Sequence, residues 1–250
     1  VIAHVLDLFP DEENVVFICN EEQLANPSYQ LAATLNEFCP TGRIVAIKGH
    51  KLGPVYAVAQ AFEALDPEQP TIVNYCDFAC LWDYEDFKGF TASTGCDGAV
   101  VSYKGFHPHM LGSCNYAYVQ EQDGWVSAIQ EKQPFTDTPM NEFASSGTYY
   151  FRNGKILKQY FERTLARADL KVNGEYYVSL AYRPMLEDGC RVAVYELQRF
   201  MQFGTPHDLV EYQYWSWIFR RLSAGNHATA CQPGTVMVPM AGLGTRFAKE

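Results

Sequence analysis

The chain has 250 residues, of which 48% are hydrophobic and 14% aromatic, enough apolar material for one large core or two small ones. Its formal net charge of −10 argues against general nucleic-acid binding, which needs a basic face, although a few converging cations could still bind a small anion. No apolar run approaches the roughly 20 residues that cross a bilayer. Eight scattered cysteines without a CxxC pair are typical of a reduced, cytoplasmic protein. We therefore expect a globular cytoplasmic protein with no membrane and no nucleic-acid partner.

Buried strands and helices alternate along the first half of the chain. Residues 15–19, 44–47 and 71–77 are almost continuously apolar, which is typical of strands buried on both faces. Between them lie helical stretches at 28–38 and 54–65, the second with its apolar side chains on one side. This alternation predicts a parallel sheet with helices on both faces.

The middle of the chain has a different pattern. Residues 98–105, 115–132 and 145–151 are typical of antiparallel strands, and Gln122-Asp123-Gly124 predicts a hairpin turn inside the second of these ranges. We therefore predict an α/β fold with a mixed, mainly parallel sheet, helices on both faces and an antiparallel subregion.

A helix at 154–167 and a strand at 191–197 precede the last helix, whose start is well marked. Thr205 is an N-cap, Pro206 occupies the first helical position and Asp208 the acidic third one. The aromatic residues of this helix wrap two of its faces. That distribution favours core packing, with an oligomer contact, and hence a homo-oligomer, as the alternative.

The chain ends in VMVPMAGLGTRFAKE, in which an apolar strand (236–240) opens into a glycine-rich turn (242–246). Such a turn points backbone N–H groups at a phosphate, and a helix normally follows it. Here only four residues follow Arg246, whereas residues 1–9 form an amphipathic helix with no strand before it. Placed head to tail, the two ends complete one strand–loop–helix unit.

This arrangement predicts a domain of residues 1–222 that lacks its first strand, a linker at 223–235 and a completing segment at 236–250. The segment would supply the first strand and the phosphate loop to the same domain or to that of a neighbouring copy. We expect the strand to lie between residues 15–19 and 71–77, with its turn at the ligand-binding edge of the sheet.

Seven motifs carry a resemblance to a known family, the sugar-phosphate nucleotidyltransferases or nucleoside-diphosphate-sugar pyrophosphorylases. Six occur in the family's order, and the seventh, PMAGLGTRF, stands at the N-terminus in the family but at the end of this chain. The six are LGPVYAVAQA (52–61), Cys76-Asp77, Gln130-Glu131-Lys132, SSGTYYF (145–151), GEYYVS (174–179) and FGTPHDL (203–209).

The resemblance implies a Rossmann-like domain that joins a nucleoside triphosphate (NTP) to a sugar 1-phosphate, or to a similar phosphorylated acceptor, and releases pyrophosphate. The product would be an NDP- or NMP-sugar, as used in polysaccharide biosynthesis. A phosphate oxygen attacks the α-phosphorus in line, so the protein mainly positions two polyanions and neutralises the growing charge. By resemblance, the amides of Gly242, Leu243, Gly244 and Thr245 cradle the triphosphate, and Arg246 makes a bidentate contact with it.

Further site residues follow from the resemblance. Asp77 ends a buried strand and would hold Mg²⁺, the implied cofactor; otherwise it is a turn or capping residue. Lys132 would contact the sugar phosphate, or else is a solvated edge-strand lysine. Gly147 would let the backbone approach the sugar and Glu175 would accept hydrogen bonds from its hydroxyls, although both are equally typical of turns and surfaces. Gly53 lies in the nucleobase-contacting loop, but a glutamine common before that loop is absent, which leaves the base open.

Two departures from the family pattern keep other functions open. Gln202 stands where a second metal-binding aspartate is common, so the metal would depend on Asp77, one neutral oxygen, phosphates and waters. The lysine of the family's Pro-Lys-Pro loop has no counterpart. Both departures favour, as one alternative, a non-catalytic sugar-nucleotide sensor. A nucleotide-sugar-dependent glycosyltransferase is the other, but the single acid within residues 75–79 counts against it. The sequence does not specify the sugar.

Overall fold

In the computed structural model, which describes residues 1–105, 107 and 116–225, helices and strands alternate along the first third of the chain. Strands β1 and β2 run parallel from Val16 paired with Arg43 to Asn20 paired with Ile47, as the sequence predicts. Helix α2 was not predicted, and it begins because the Asn20 side chain accepts a 2.8 Å hydrogen bond from the Glu22 N–H. The elements are α1 (Ile2–Leu6), β1 (Val16–Asn20), α2 (Glu21–Ala25), α3 (Leu31–Phe38), β2 (Arg43–Ile47) and α4 (Pro54–Ala59).

The central sheet is formed by the middle of the chain. Its strands are β3 (Thr71–Asn74), β5 (Gly98–Tyr103), β6 (Ala117–Gln122), β7 (Trp125–Glu131), β8 (Phe143–Phe151) and β9 (Val192–Glu196). A separate antiparallel ribbon joins β4 (Phe78–Leu81) to β10 (Arg199–Gln202). The remaining helices are α5 (Tyr84–Thr94), α6 (Gly154–Leu165), α7 (Tyr182–Glu187) and α8 (Pro206–Ser223).

The order of the central sheet is β3-β8-β5-β9-β7-β6. Among the described strands, β1 with β2 and β5 with β9 are the parallel pairs, and the others are antiparallel. The mixed α/β class is therefore confirmed. The antiparallel share is larger than the sequence suggested because β8 runs back between β3 and β5. The predicted hairpin turn is confirmed too, since Asp123 and Gly124 have positive φ angles of 53° and 84° between β6 and β7.

Helices cover both faces of this sheet, as predicted. Alternate residues of β5 belong to two core clusters, Val100 to one and Ala99 and Val101 to the other. Helices α4, α6 and α7 contribute to the first cluster and α5 to the second. The sheet is thereby fixed from both sides, which makes it a rigid support for side chains at its edge.

The chain divides into two compact units, residues 1–209 and 210–250. In the described part of the second unit, the predicted core packing of the aromatic side chains is wrong: Tyr214, Trp215, Trp217 and Phe219 are 48–61% exposed. The predicted strand at 236–240 and the glycine-rich turn at 242–246 lie outside the described residues. The predicted domain boundaries stay a prediction. None of the helices within 1–105 and 116–225 combines the length and apolarity that crossing a membrane requires.

Candidate active site

Asp77 lies at the junction between the central sheet and the β4–β10 ribbon. Strand β3 ends at Asn74, and Asp77 immediately precedes β4. The Asp77 carbonyl accepts a 2.7 Å hydrogen bond from the Phe203 N–H, which ties the junction to the segment after β10. Asp77 is exposed as a residue, but partial burial of its carboxyl excludes water and raises the pKa. A hydrogen bond from its own backbone N–H lowers the pKa, and the negative charge of Asp208 raises it.

Gln202 comes close to Asp77 through the pairing of β10 with β4. Its Nε2 donates a 2.9 Å hydrogen bond to Oδ2 of Asp208. Its Oε1 is buried and has no hydrogen-bond partner among the described residues. A Cβ on Gly204 would lie 3.0 Å from Oδ2 of Asp77 and 3.6 Å from Nε2 of Gln202, so both side chains lie against this glycine.

These two side chains fit a divalent cation only in part. An amide oxygen and a carboxylate are suitable ligands for Mg²⁺, and the unpartnered Oε1 has no other hydrogen bond to lose. Within the described residues, no three His, Cys, Asp or Glu side chains form a metal cluster. The remaining ligands would therefore be phosphate oxygens and waters.

Lys132 and Glu175, predicted to contact the sugar phosphate and the sugar, are linked by a tyrosine. Nζ of Lys132 donates a 2.5 Å hydrogen bond to the Tyr177 hydroxyl and lies 4.5 Å from the centre of its ring. The Tyr177 hydroxyl in turn donates a short hydrogen bond to Oε2 of Glu175. Tyr177 has no role in the sequence-based prediction, although it lies in the GEYYVS motif two residues after Glu175.

The backbone of Lys132 is in the left-handed region, with φ 59°, directly after β7. Its N–H donates a 2.8 Å hydrogen bond to the Tyr116 carbonyl, which helps to hold this conformation. A non-glycine residue in that region costs of the order of 1 kcal/mol or more, so the surroundings must fix it. The lysine is therefore oriented before any ligand binds.

Glu131 is a second residue of the site to which the sequence analysis gave no role. The Ser179 hydroxyl donates a 2.5 Å hydrogen bond to Oε2 of Glu131. Burial raises the pKa of the Glu131 carboxyl to about 7, against the lowering effects of Ser179 and Lys132 and with a raising effect of Glu175. The Glu131 carboxyl therefore changes its charge near neutral pH, and it interacts electrostatically with both Lys132 and Glu175.

Gly147 lies at a β-bulge where β8 approaches β3. Val101 of β5 pairs with Thr148 and Ser102 with Ser145, so the bulge contains Gly147, whose φ is 100°. A Cβ there would lie 3.1 Å from Cδ2 of Tyr75. The Gly147 carbonyl accepts a 3.0 Å hydrogen bond from the Tyr75 N–H, two residues before Asp77. The structure thus joins the predicted sugar side and the predicted metal side through Tyr75.

Tyr75 also reaches the GEYYVS turn, because its hydroxyl accepts a 3.3 Å hydrogen bond from the Val178 N–H. Gly53 approaches the same turn from the other side, with φ 86° and with a hypothetical Cβ 2.7 Å from the backbone N and O of Tyr176. This close backbone approach is by itself sufficient to require a glycine at Gly53. The other predicted nucleotide-binding residues, Gly242, Leu243, Gly244, Thr245 and Arg246, lie outside the described residues.

Comparison with known proteins places this architecture in one fold. No family model and no curated protein matches the sequence. Solved structures of sugar nucleotidyltransferases do match it, so the chain has the fold of these enzymes and the resemblance found in the motifs is confirmed at the level of the fold.

Three of these structures illustrate the likeness, each at 16% sequence identity. A nucleoside-diphosphate-sugar pyrophosphorylase from Vibrio cholerae RC9 has a TM-score of 0.65, with 85% of each chain covered. A protein described as a glucose-1-phosphate thymidylyltransferase from Bacillus anthracis, in complex with sucrose, has a TM-score of 0.64 and covers 86% of this chain and 81% of its own. A UDP-glucose pyrophosphorylase with bound UDP-glucose has a TM-score of 0.62 and covers 88% and 87%.

Proposed function

We propose that the protein is a nucleotidyltransferase that joins an NTP to a sugar 1-phosphate, giving an NDP-sugar and pyrophosphate. The observation that carries the proposal is the connected group of Lys132, Tyr177 and Glu175 at the edge of a sheet that has the sugar nucleotidyltransferase fold. A cation next to a hydrogen-bonding acid matches the two ends of a sugar phosphate. A cytoplasmic location and a role in polysaccharide biosynthesis belong to the same proposal.

In the proposed reaction, the protein acts mainly by positioning the two substrates and by neutralising the charge of their phosphates. The phosphate oxygen of the sugar 1-phosphate attacks the α-phosphorus of the NTP in line, and the bond to pyrophosphate breaks. Lys132 would bind and partly neutralise the attacking phosphate, and Glu175 would orient the sugar by accepting hydrogen bonds from its hydroxyls. Gly147 would contribute its backbone to the sugar side, because Tyr75 and Phe78 occupy the space where a side chain would begin.

Asp77 and Gln202 are the residues that would hold Mg²⁺, through one carboxylate and one amide oxygen. Mg²⁺ would supply charge neutralisation on the triphosphate. The neutral Gln202 in place of a second carboxylate predicts a weak site in the protein alone. Phosphate oxygens of the substrates would then complete the coordination and strengthen it.

Pyrophosphate release tests the proposal. The full chain is incubated with Mg²⁺ and each combination of UTP, dTTP, CTP, ATP and GTP with a panel of hexose 1-phosphates. We expect release with at least one combination, and loss of Mg²⁺-stimulated release in Asp77→Asn. If no combination supports turnover, the transferase proposal is wrong.

A non-catalytic sugar-nucleotide sensor is the second candidate, and Gln202 is the observation that favours it. One carboxylate and one amide would be enough to bind a metal–nucleotide complex but would neutralise less charge during transfer. Binding of an NDP-sugar to the full chain without any pyrophosphate release would identify this function. Calorimetry beside the turnover panel therefore separates the two candidates.

A further inference from the structure

Asp208 contacts Gln202, one of the two side chains of the cation site proposed above, on which the role of Asp208 rests. Oδ2 of Asp208 accepts three hydrogen bonds: 2.9 Å from the Thr205 N–H, 2.6 Å from the Thr205 hydroxyl and 2.9 Å from Nε2 of Gln202. The Asp208 N–H donates back to the Thr205 hydroxyl over 3.2 Å. Thr205 and Asp208 therefore form a capping box at the start of α8, which fixes the carboxylate in place.

The capping box does not need the third bond. The start of the helix is satisfied by the contacts between Thr205 and Asp208, whereas Gln202 belongs to β10 and contributes no backbone group to the helix. The bond to Gln202 therefore has a different consequence. A carboxylate is an acceptor only, so it attracts the amide NH₂ and repels the amide oxygen. Asp208 thus determines which end of the Gln202 side chain stays free.

The free end of the Gln202 amide is its oxygen, which is the amide atom that can bind a metal ion. With Nε2 committed to Asp208, Oε1 of Gln202 remains buried and without a partner among the described residues. The Asp77 carboxylate lies on the same glycine, Gly204, as the Gln202 amide. Rotating the amide by half a turn would place Oε1 against the Asp208 carboxylate, which is unfavourable. The arrangement therefore leaves one amide oxygen without a hydrogen bond among the described residues, on a side chain whose Nε2 shares the surroundings of Gly204 with the Asp77 carboxylate.

We propose that Asp208 is a positioning residue for the cation site: it orients the Gln202 amide so that Oε1 and the Asp77 carboxylate face one divalent cation. Through the hydrogen bond, its negative charge also increases the electron density on Oε1. A carboxylate at position 202 would bring its negative charge directly to the cation. Asp208 would supply that charge indirectly, through its hydrogen bond to the Gln202 amide. Partners of this kind typically change metal affinity by about 10–100-fold.

Binding of Mn²⁺ alone to the full chain, measured by electron paramagnetic resonance, tests the role of Asp208 without requiring turnover. Asp208→Ala is expected to weaken Mn²⁺ binding by about 10–100-fold. Thr205→Ala is the matched control, because it removes the hydroxyl of the same capping box but leaves the bond to Gln202; we expect a change of less than about threefold, as for a residue outside the metal's hydrogen-bond partners. Equal losses in both variants would mean that Asp208 acts only as a helix cap, and the inference would be wrong.

A double-mutant cycle with Gln202→Leu shows whether Asp208 acts through Gln202. The single Gln202→Leu variant keeps the capping box, so it tests the site even if Asp208→Ala fails to fold. Adding Asp208→Ala to Gln202→Leu should weaken Mn²⁺ binding by less than about threefold, because the amide to be oriented is already gone. Independent, multiplicative losses would overturn the inference.

The outcomes separate this inference from the transferase proposal. Mn²⁺ binding that depends on Asp208 and Gln202, without pyrophosphate release, supports the inference and contradicts the transferase. Pyrophosphate release with Mn²⁺ binding that is unaffected in Asp208→Ala supports the transferase and contradicts the inference. Absence of Mn²⁺ binding to the unmodified chain also contradicts the inference.

Discussion

Lys132 combines an unfavourable backbone conformation with a fixed ammonium group, a combination that is common where a side chain must be oriented before its ligand arrives. Lys132→Ala should weaken sugar 1-phosphate binding by about 2–4 kcal/mol, because the phosphate loses its charged partner in a partly desolvated site. Binding of the NTP should change little. Isothermal titration calorimetry with each ligand separately measures both effects.

Lys171→Ala is the matched control for this substitution. Lys171 is also a lysine over a tyrosine ring, 5.0 Å from the centre of Tyr176, but it is exposed and does not bond to Tyr177. Its removal should leave sugar 1-phosphate binding unchanged. Equal weakening of both ligands in Lys132→Ala would indicate that this lysine supports the fold or the triphosphate instead.

Glu131 makes the stability of the protein depend on pH. Burial raises the pKa of its carboxyl from 4.5 to about 7. Between these values the folded state binds more protons than the unfolded state, so this group makes the folded state less stable as the pH rises through that window. Glu131→Gln keeps an acceptor for Ser179 but carries no charge, and it should therefore remove this decline.

Urea unfolding at pH 5 and pH 8 measures the effect. From pH 5 to pH 8, the free energy of unfolding of Glu131→Gln should rise relative to that of the unmodified chain by about 1–3 kcal/mol. Glu121→Gln, at an exposed position of β6, is the matched control for the loss of one negative charge. A difference that does not change with pH would show that Glu131 has no raised pKa.

The site depends on the interruption between β3 and β4, which the sequence did not predict. One strand was expected over 71–77, because four of these seven residues are apolar. The strand ends at Asn74, whose Nδ2 donates a 2.8 Å hydrogen bond to the Tyr75 carbonyl and whose Oδ1 accepts one of 2.5 Å from the Thr148 hydroxyl. Beyond Asn74 the backbone pairing with β8 continues, among the described residues, only through the bond from the Tyr75 N–H to the Gly147 carbonyl, and the role of Asn74 at this strand end becomes evident only from its partner Thr148.

Other differences between prediction and structure have different causes. Both ends of α5 have signals in the sequence that the prediction did not use. Asp83 accepts a 3.0 Å hydrogen bond from the Asp86 N–H at the start, and Gly95 ends the helix with φ 58°. Helix α7 has only six residues and contains Pro184, so it is too short to show a helical period in the sequence. The positions of Asp77, Lys132, Gly147 and Glu175 followed from motifs, whereas Tyr177 and Asp208 become functional candidates only through their contacts.

The bulge at Gly147 gives a prediction for β8. Gly147→Ala should destabilise the protein by about 1–3 kcal/mol, because alanine is strained at φ 100° and its Cβ would meet Tyr75 at 3.1 Å and Phe78 at 3.2 Å. Gly89→Ala is the matched control: it lies in α5 with nothing within 4 Å of its Cβ, and it should stabilise by about 0.5–1 kcal/mol. Chemical denaturation measures both. Equal stability of the two variants would contradict the close approach of Tyr75 to the bulge.

One hydrophobic core connects the segments that contain the proposed ligand-binding residues. Lys132 follows β7, Gly147 belongs to β8, and the turn containing Glu175 packs against Gly53 before α4. Residues of β7, β8 and α4 share the first core cluster. A ligand that bridges these segments therefore binds only when the whole first unit is folded, and its binding free energy adds to the stability of that unit.

This linkage predicts a thermal shift that identifies the sugar. A sugar 1-phosphate present at about 100 times its dissociation constant stabilises the folded state by about 2.7 kcal/mol, which corresponds to roughly 5–10 °C in the unfolding midpoint of a unit of this size. The same sugar without phosphate, and inorganic phosphate alone, should each give a much smaller shift, because each contacts only one end of the Lys132–Tyr177–Glu175 group. Lys132→Ala should lose most of the shift at the same ligand concentration. If inorganic phosphate shifts the midpoint as much as the sugar 1-phosphate does, Glu175 and Gly147 make no contact with a sugar, and the assignment of this edge of the sheet to the sugar is wrong.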